Sequence, residues 1–445
     1  QGTSVAVGGV IATNLVKSSA DAYATTSSLT TTGTGDVIID ANNESKIDAL
    51  IKSSIESNGV AVGVTLAFNT IGWDAQNFLF NTVDAIVGNT LGTKSAATTK
   101  AWTLDSTIDS AGEISVTADS DARIDARIAN SSTSIKLVPG GNATTVAVGA
   151  VIALNKVATD VAARITNSTS LSADDDVTVS GVDSAAIQSN VSSSSLAVAV
   201  SSDKAVSIPV SLAFSRNEID QSVNAAMSNV VGNVTGDVAV TTSKSGDISS
   251  EVSATAIGVS ASAGSSIGVS GGGSLAFNTI LGTNNALITG GSLTTTAGGG
   301  NSGDVAVTTN DTSSIDAVVK TIAVSVAVGG SNAVGVALGM SVAKNVIGFS
   351  NTSPTPTYDS NANPATLVSG NRVKVASGPL TGRVFEYFGA TLTGSTNIHL
   401  ASQNYHDRSI WRPVDLLANA AQVHAVVSGT NITAAGGLNV TSQSD

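Results

Sequence analysis

Residues 60–72 read VAVGVTLAFNTIG, and variants of that phrase return along the chain: SVAVGGVIATNLV from Ser4, TVAVGAVIALNKV from Thr145 and GGGSLAFNTIL from Gly271. A recurring phrase constrains the fold more than any single motif, because one unit cannot bury its apolar face alone and must stack on its neighbours. The Ala two places before the end of each phrase serves as a ruler: Ala12, Ala67, Ala153, Ala213, Ala276 and Ala343. The phrase itself closes on Asn14, Asn69, Asn155, Asn278 and Asn345, with Ser215 in that place in the fourth copy.

Inside the phrase the alternation has a period of two, which belongs to strands and not to helices. Val60, Val62, Val64, Leu66 and Phe68 share one face, and Ala61, Gly63, Thr65, Ala67 and Asn69 share the other. Val146, Val148, Ile152 and Leu154 likewise oppose Ala147, Gly149, Ala153 and Asn155. The bulky residues are expected to line the interior in stacked ladders. The small face carries no charge, so it is expected to be covered, either by another sheet of the same chain or by a neighbouring chain.

A second phrase follows each first one: GDVIIDA from Gly35, GEISVTA from Gly112, DDVTVSG from Asp175, and GDVAVTT from Gly236 and Gly303. Gly-Asp is turn chemistry ahead of a strand. Ile114, Val116, Ala118, Ala122, Ile124, Ala126 and Ile128 then point to a core, and Asp119, Asp121, Arg123, Asp125 and Arg127 to water. Charged residues are 12% of the chain and aromatics 3%, a composition that suits thin layers of strand, while 42% hydrophobic residues exclude a disordered chain. These features predict an all-β fold, an elongated β-solenoid (β-helix) of repeats of about 60 residues, each holding two or three coils. A β-sandwich array would need larger aromatic core residues.

Two segments break the pattern, so the expected organisation is solenoid over 1–348 with a helix or loop segment inserted at 72–102, a small β module at 349–415, and solenoid again over 416–445. In the first insertion Asp74 is placed to cap a short helix carrying Phe78, Leu79, Val83 and Ile86. The second holds five of the seven prolines, a hairpin in NRVKVASGPLTGRVFEYFG, and enough aromatics for a miniature core: Phe385, Tyr387, Phe388, Tyr405 and Trp411. RVFEYFG followed by HLASQNYHDRSIWRPV, with Gln403, Tyr405, Asp407 and Trp411 in matching places, resembles a module that interrupts β-solenoid repeats in giant repetitive bacterial surface or secreted proteins. LAFNTIGWDAQNFLFNTVDAIVG resembles the same group. The resemblance implies an adhesin-like or filament-like extracellular protein with no assigned reaction, and it carries over no catalytic residue.

The charge balance limits partners. Thirty-three acidic against 20 basic residues, a net charge of −13, leave no basic cluster for a nucleic-acid backbone. Without cysteine there are no disulfides or thiolate metal sites. Thr321–Ala343 is uncharged and long enough for a membrane span, but its alternation of large and small residues reads as strand. The chain begins and ends inside recurring phrases, which reads as a window on a longer polypeptide, with further repeats or identical chains as neighbours.

Chemistry is thin. His399 and His406 lie near Asp407 and Tyr405 without a third ligand at useful spacing, and His424 stands apart. Asp174, Asp175 and Asp176 are the one calcium candidate, set against a solvated turn. No catalytic or cofactor residue is assigned. The leading expectation is a non-enzymatic extracellular structural protein that self-associates. The alternative is an adhesin binding glycans or surfaces through residues 349–415. A polysaccharide-active enzyme comes last, because it needs carboxylates and bases gathered in one cleft.

Overall fold

The computed structural model describes residues 2–73, 94–298, 300–348, 355–378, 380–393, 398–405, 407, 410–413 and 421–445. Among these the protein is all-β: the only helical residues are a 3-10 turn at Leu400–Ser402. The chain divides into two compact units, Gln1–Ile347 with Gln422–Asp445, and Gly348–Ala421.

The first unit consists of two parallel sheets between which the chain alternates. The larger carries Val5–Val16, Val60–Ile71, Asn142–Thr166, Lys204–Thr235, Ser265–Thr296 and Asn332–Ile347; the smaller carries Val37–Ser57, Ile114–Val138, Val177–Ser201, Val238–Ser262 and Ser314–Gly329. Each strand pairs in parallel with its counterpart in the next copy, so Val60 lies beside Val5 and Val146. The expectation of two or three coils per sixty residues does not hold. Between partners 61 or 62 residues apart the chain spends one long strand in each sheet, 25 residues or more in the central copies. The alternation runs on where turn signals would be needed to fold it into shorter coils.

In the smaller sheet the facing is as the alternation predicts. Ile114, Val116, Ala118, Ala122, Ile124, Ala126 and Ile128 are all 1% exposed or less. In the larger sheet the expected facing is inverted. Ala61, Thr65, Ala67 and Asn69 are fully buried, whereas Val60, Val62 and Leu66 are half-buried and Val64 is exposed. Val146, Val148 and Ile152 are likewise half-buried on the outer face, above a buried row of Ala147, Gly149 and Ala153. Only Phe68 and Leu154 of the expected interior residues are buried, and they pack against Phe214.

The cause is the closeness of the two sheets along this part of the strands. Ser195 Oγ donates to the main-chain oxygen of Val210 across the gap at 2.6 Å, and Ser266, Ser270 and Ser274 reach Val328, Val324 and Lys320 in the same way, each at 2.6 Å. A Cβ on Gly149 would stand 2.9 Å from Ser193 Oγ and 3.0 Å from Ser195 Oγ. Sheets separated by ordinary side chains lie about 10 Å apart. Gly, Ala, Ser and Thr fill most of this seam, with Val151 and Pro209 the larger residues in its inward rows, so the bulky row turns outward.

Further along, the sheets enclose larger side chains in two clusters. Ile71, Ile124, Val157, Ile187 and Ile219 belong to one, and Ile108, Ile114, Ile165, Leu171 and Met227 to the other. Thr321–Ala343 falls on two strands, Ser314–Gly329 and Asn332–Ile347, and no helix among the described residues is long and apolar enough to cross a membrane. Ala97–Leu104 is a sheet strand between Ser19–Thr25 and Asn142–Thr166, which shortens the expected interruption at 72–102. The helix expected from Asp74 to Ile86 lies outside the described residues.

The second unit has a four-stranded sheet in which Arg372–Lys374 and Val384–Tyr387 form the expected antiparallel pair, with Trp411–Pro413 beside the latter. Phe385, Tyr387, Tyr405 and Trp411 are buried together with Leu367, Val373 and Leu400. Phe388 departs from the expected core at 41% exposed. It lies just past the end of the strand Val384–Tyr387, whose residues are buried on both faces.

Candidate functional site

The most regular polar feature is a ladder of asparagines between the sheets. Nδ2 of Asn14 donates to Oδ1 of Asn69 at 2.8 Å, Asn69 to Asn155 at 2.8 Å, Asn155 to Asn217 at 2.8 Å, Asn217 to Asn278 at 2.8 Å and Asn278 to Asn345 at 2.9 Å. The facing sheet takes the second donor in the middle: Asn155 reaches Ser189 Oγ and Asn217 reaches Ser250 Oγ, each at 3.2 Å. A buried amide without partners would be costly, and here each satisfies the next. The ladder corrects the fourth copy of the phrase. Ser215 lies opposite Ala153 and Ala276, and Asn217 takes the asparagine place. A two-residue shift leaves the same face inward, so alternation cannot distinguish the registers; the hydrogen bonds can.

Between the two apolar clusters lies a layer of polar and charged side chains that sequence reasoning missed. Asn43, Ser120, Asp183, Lys244 and Asp311 are neighbours in register across the smaller sheet. Lys244 Nζ is 2.8 Å from Asp311 Oδ2, with both side chains 3% exposed or less. Asp183 Oδ2 accepts from Thr159 Oγ1 at 2.5 Å, while Asp183 Oδ1 and Gln221 Oε1 are buried without a partner. Burial pushes the Asp183 carboxyl up to about 7; the hydrogen bond from Thr159, the nearby Gln221 amide and the charge of Lys244 oppose the shift, and Asp119 adds to it. The signal was parity: Asp183 shares its face with Val177 and Val179, and Lys244 with Val238 and Val240. These groups are sealed from solvent, which suits holding a fold and not meeting a substrate.

The remaining candidates have structural partners. Asp176 Oδ1 accepts the Asp237 N–H and Asn301 Nδ2, each at 2.7 Å. Asp237 Oδ1 in turn accepts the Gly303 and Asp304 N–H groups at 2.9 and 2.8 Å. The Asp174–Asp176 run is thus a turn, stapled to the next Gly-Asp turn. No group of three or more His, Cys, Asp or Glu able to hold a metal occurs among the described residues. His399 Nδ1 bonds Asn363 Oδ1 at 2.9 Å, and His424 sits on the strand Gln422–Ser428 of the first unit. His406 lies outside the described residues.

On the outer face of the larger sheet Lys156 pairs with Glu218 at 3.2 Å, both 3% exposed, beneath the Trp73 ring at 4.0 Å. Burial lowers the Lys156 pKa against the opposing pull of Glu218. Comparison with protein-family models, curated proteins and solved structures finds no match for this chain.

Proposed function

We propose that this chain is a non-enzymatic, extracellular structural segment: a β-solenoid rod belonging to a giant repetitive bacterial surface or secreted protein, in which each copy of the recurring phrase adds one layer. The observation that carries the reading is the unbroken asparagine ladder through six parallel strands of the larger sheet, joined at steps of 55, 86, 62, 61 and 67 residues. The variable steps leave one constant geometry, as expected when excess chain leaves a stack as an insertion. The charged groups that would serve an enzyme, Asp183, Lys244 and Asp311, are enclosed between the sheets. In the second unit Phe385, Tyr387, Tyr405 and Trp411 form the unit's own core, so they present no stacking platform for a glycan. Electron micrographs of the purified chain test the reading: elongated particles of constant width are expected, and compact rounded particles would overturn it.

A further inference from the structure

We propose that the outer apolar face of the larger sheet docks a second copy of this chain, ridge into groove. The inference rests on the structural reading above and names the partner. Because the narrow seam forces the bulky row outward, four rows, beginning at Val5, Val7, Gly9 and Ile11, cross six strands without one charged or polar side chain. Leu338 is 68% exposed, Met340 56% and Leu212 48%. At 4.8 Å between strands and about 6.6 Å between rows, the face measures roughly 750 Å². A stable interface takes about 800 Å² from each partner.

The relief of the face selects the occupant. Gly271 and Gly273 form a groove one strand wide, flanked in register by Val210 and Leu212 on one side and by Leu338 and Met340 on the other. Added Cβ atoms there would meet only Val210 Cγ2 at 4.0 Å and Leu212 Cδ2 at 3.0 Å. Ridge and groove are one strand apart, so a two-fold axis parallel to the strands and midway between them lays each copy's Leu212 over the other's Gly273. A face that complements itself under a two-fold is the requirement for a closed dimer. The same uncharged face offers nothing to a charged partner, and the net charge of −13 opposes an anionic bilayer.

Sedimentation velocity over a concentration series tests this with the intact chain, beside a Gly271→Val/Gly273→Val variant that fills the groove and a Leu212→Asp variant that charges the ridge. The expected result is a dimer whose dissociation constant rises at least ten-fold in both variants, with unchanged thermal unfolding. Both substitutions are on the outer face, so at least one is expected to fold. A parent that stays monomeric, or folded variants that dimerise like the parent, would overturn the proposal. So would a parent that floats as a monomer with phosphatidylcholine vesicles, which would make lipid the occupant. Elongated monomers in micrographs would sink this inference and leave the structural reading standing; compact particles would sink that reading instead.

Discussion

At the scale of single residues, Asp183 makes the stability of the first unit depend on pH. Its carboxyl is held near 7 in the folded chain against an ordinary 3.8. The folded state therefore keeps a proton that the unfolded state loses, and stability falls as pH rises from about 4 to about 7. A shift of that size corresponds to roughly 4 kcal/mol. Asp183→Asn replaces the titrating carboxyl with a neutral amide and is expected to flatten this slope. Urea unfolding midpoints at pH 4, 5.5, 7 and 8 read it directly, and a parent whose midpoint does not fall across that range would refute the assignment. Lys244 and Asp311 form a buried ion pair with each other. Asp311→Ala leaves a buried ammonium unpaired and should cost about 3–5 kcal/mol.

At the scale of the strand, the seam reverses which substitutions are tolerated. Leu66 looks like a core residue but lies half-buried on the outer face, while Ala67 beside it is fully buried. Leu66→Asp should cost about 1 kcal/mol, the centre of the range for single substitutions, because Leu66 is only half-buried against Phe68 and its neighbours. Ala67→Asp should cost several times that, because it places a charge between sheets with no room for water. Comparing the two melting curves checks the facing; a larger loss for Leu66→Asp would contradict it. Gly63 adds an independent check, since a Cβ there would approach the Asn130 side chain and Ser132 Oγ at 2.8 Å. Gly63→Val should therefore destabilise by about 1–3 kcal/mol through overpacking.

At the scale of the whole first unit, layers joined through one hydrogen-bond geometry should be removable. Asn217 and Asn278 are 61 residues apart and occupy equivalent places in the ladder. Deleting 218–278 fuses two strands in phase and joins the ladder across the gap; made together with Asp311→Asn, because the deletion also removes Lys244, it is expected to give a cooperatively melting β protein. A deletion one residue shorter, 218–277, turns the remainder of that strand over and exposes its inward row. Circular dichroism and thermal melts of both deletions separate a stack of layers from a single indivisible core. If both unfold alike, the layered account fails.

Much of this protein was legible before any coordinates. The period of two determined an all-β chain, Gly-Asp marked the turns, and the row from Ile114 to Ile128 faced the core because its opposite row was charged. The hairpin of the second unit and four of its five core aromatics followed from local pattern as well. What alternation cannot decide is which of two uncharged faces is covered. That depends on the distance to the other sheet, and Ser195, Ser266, Ser270 and Ser274 set it by hydrogen bonding directly to the opposite main chain. The place of Asn217 was decided in the same way. Two registers two residues apart have identical facing, and only contact with Asn155 and Asn278, distant in sequence and adjacent in space, separates them. The charged layer around Asp183 had the right parity, but its tolerance rests on Thr159, Lys244 and Asp311, partners that tertiary packing brings together.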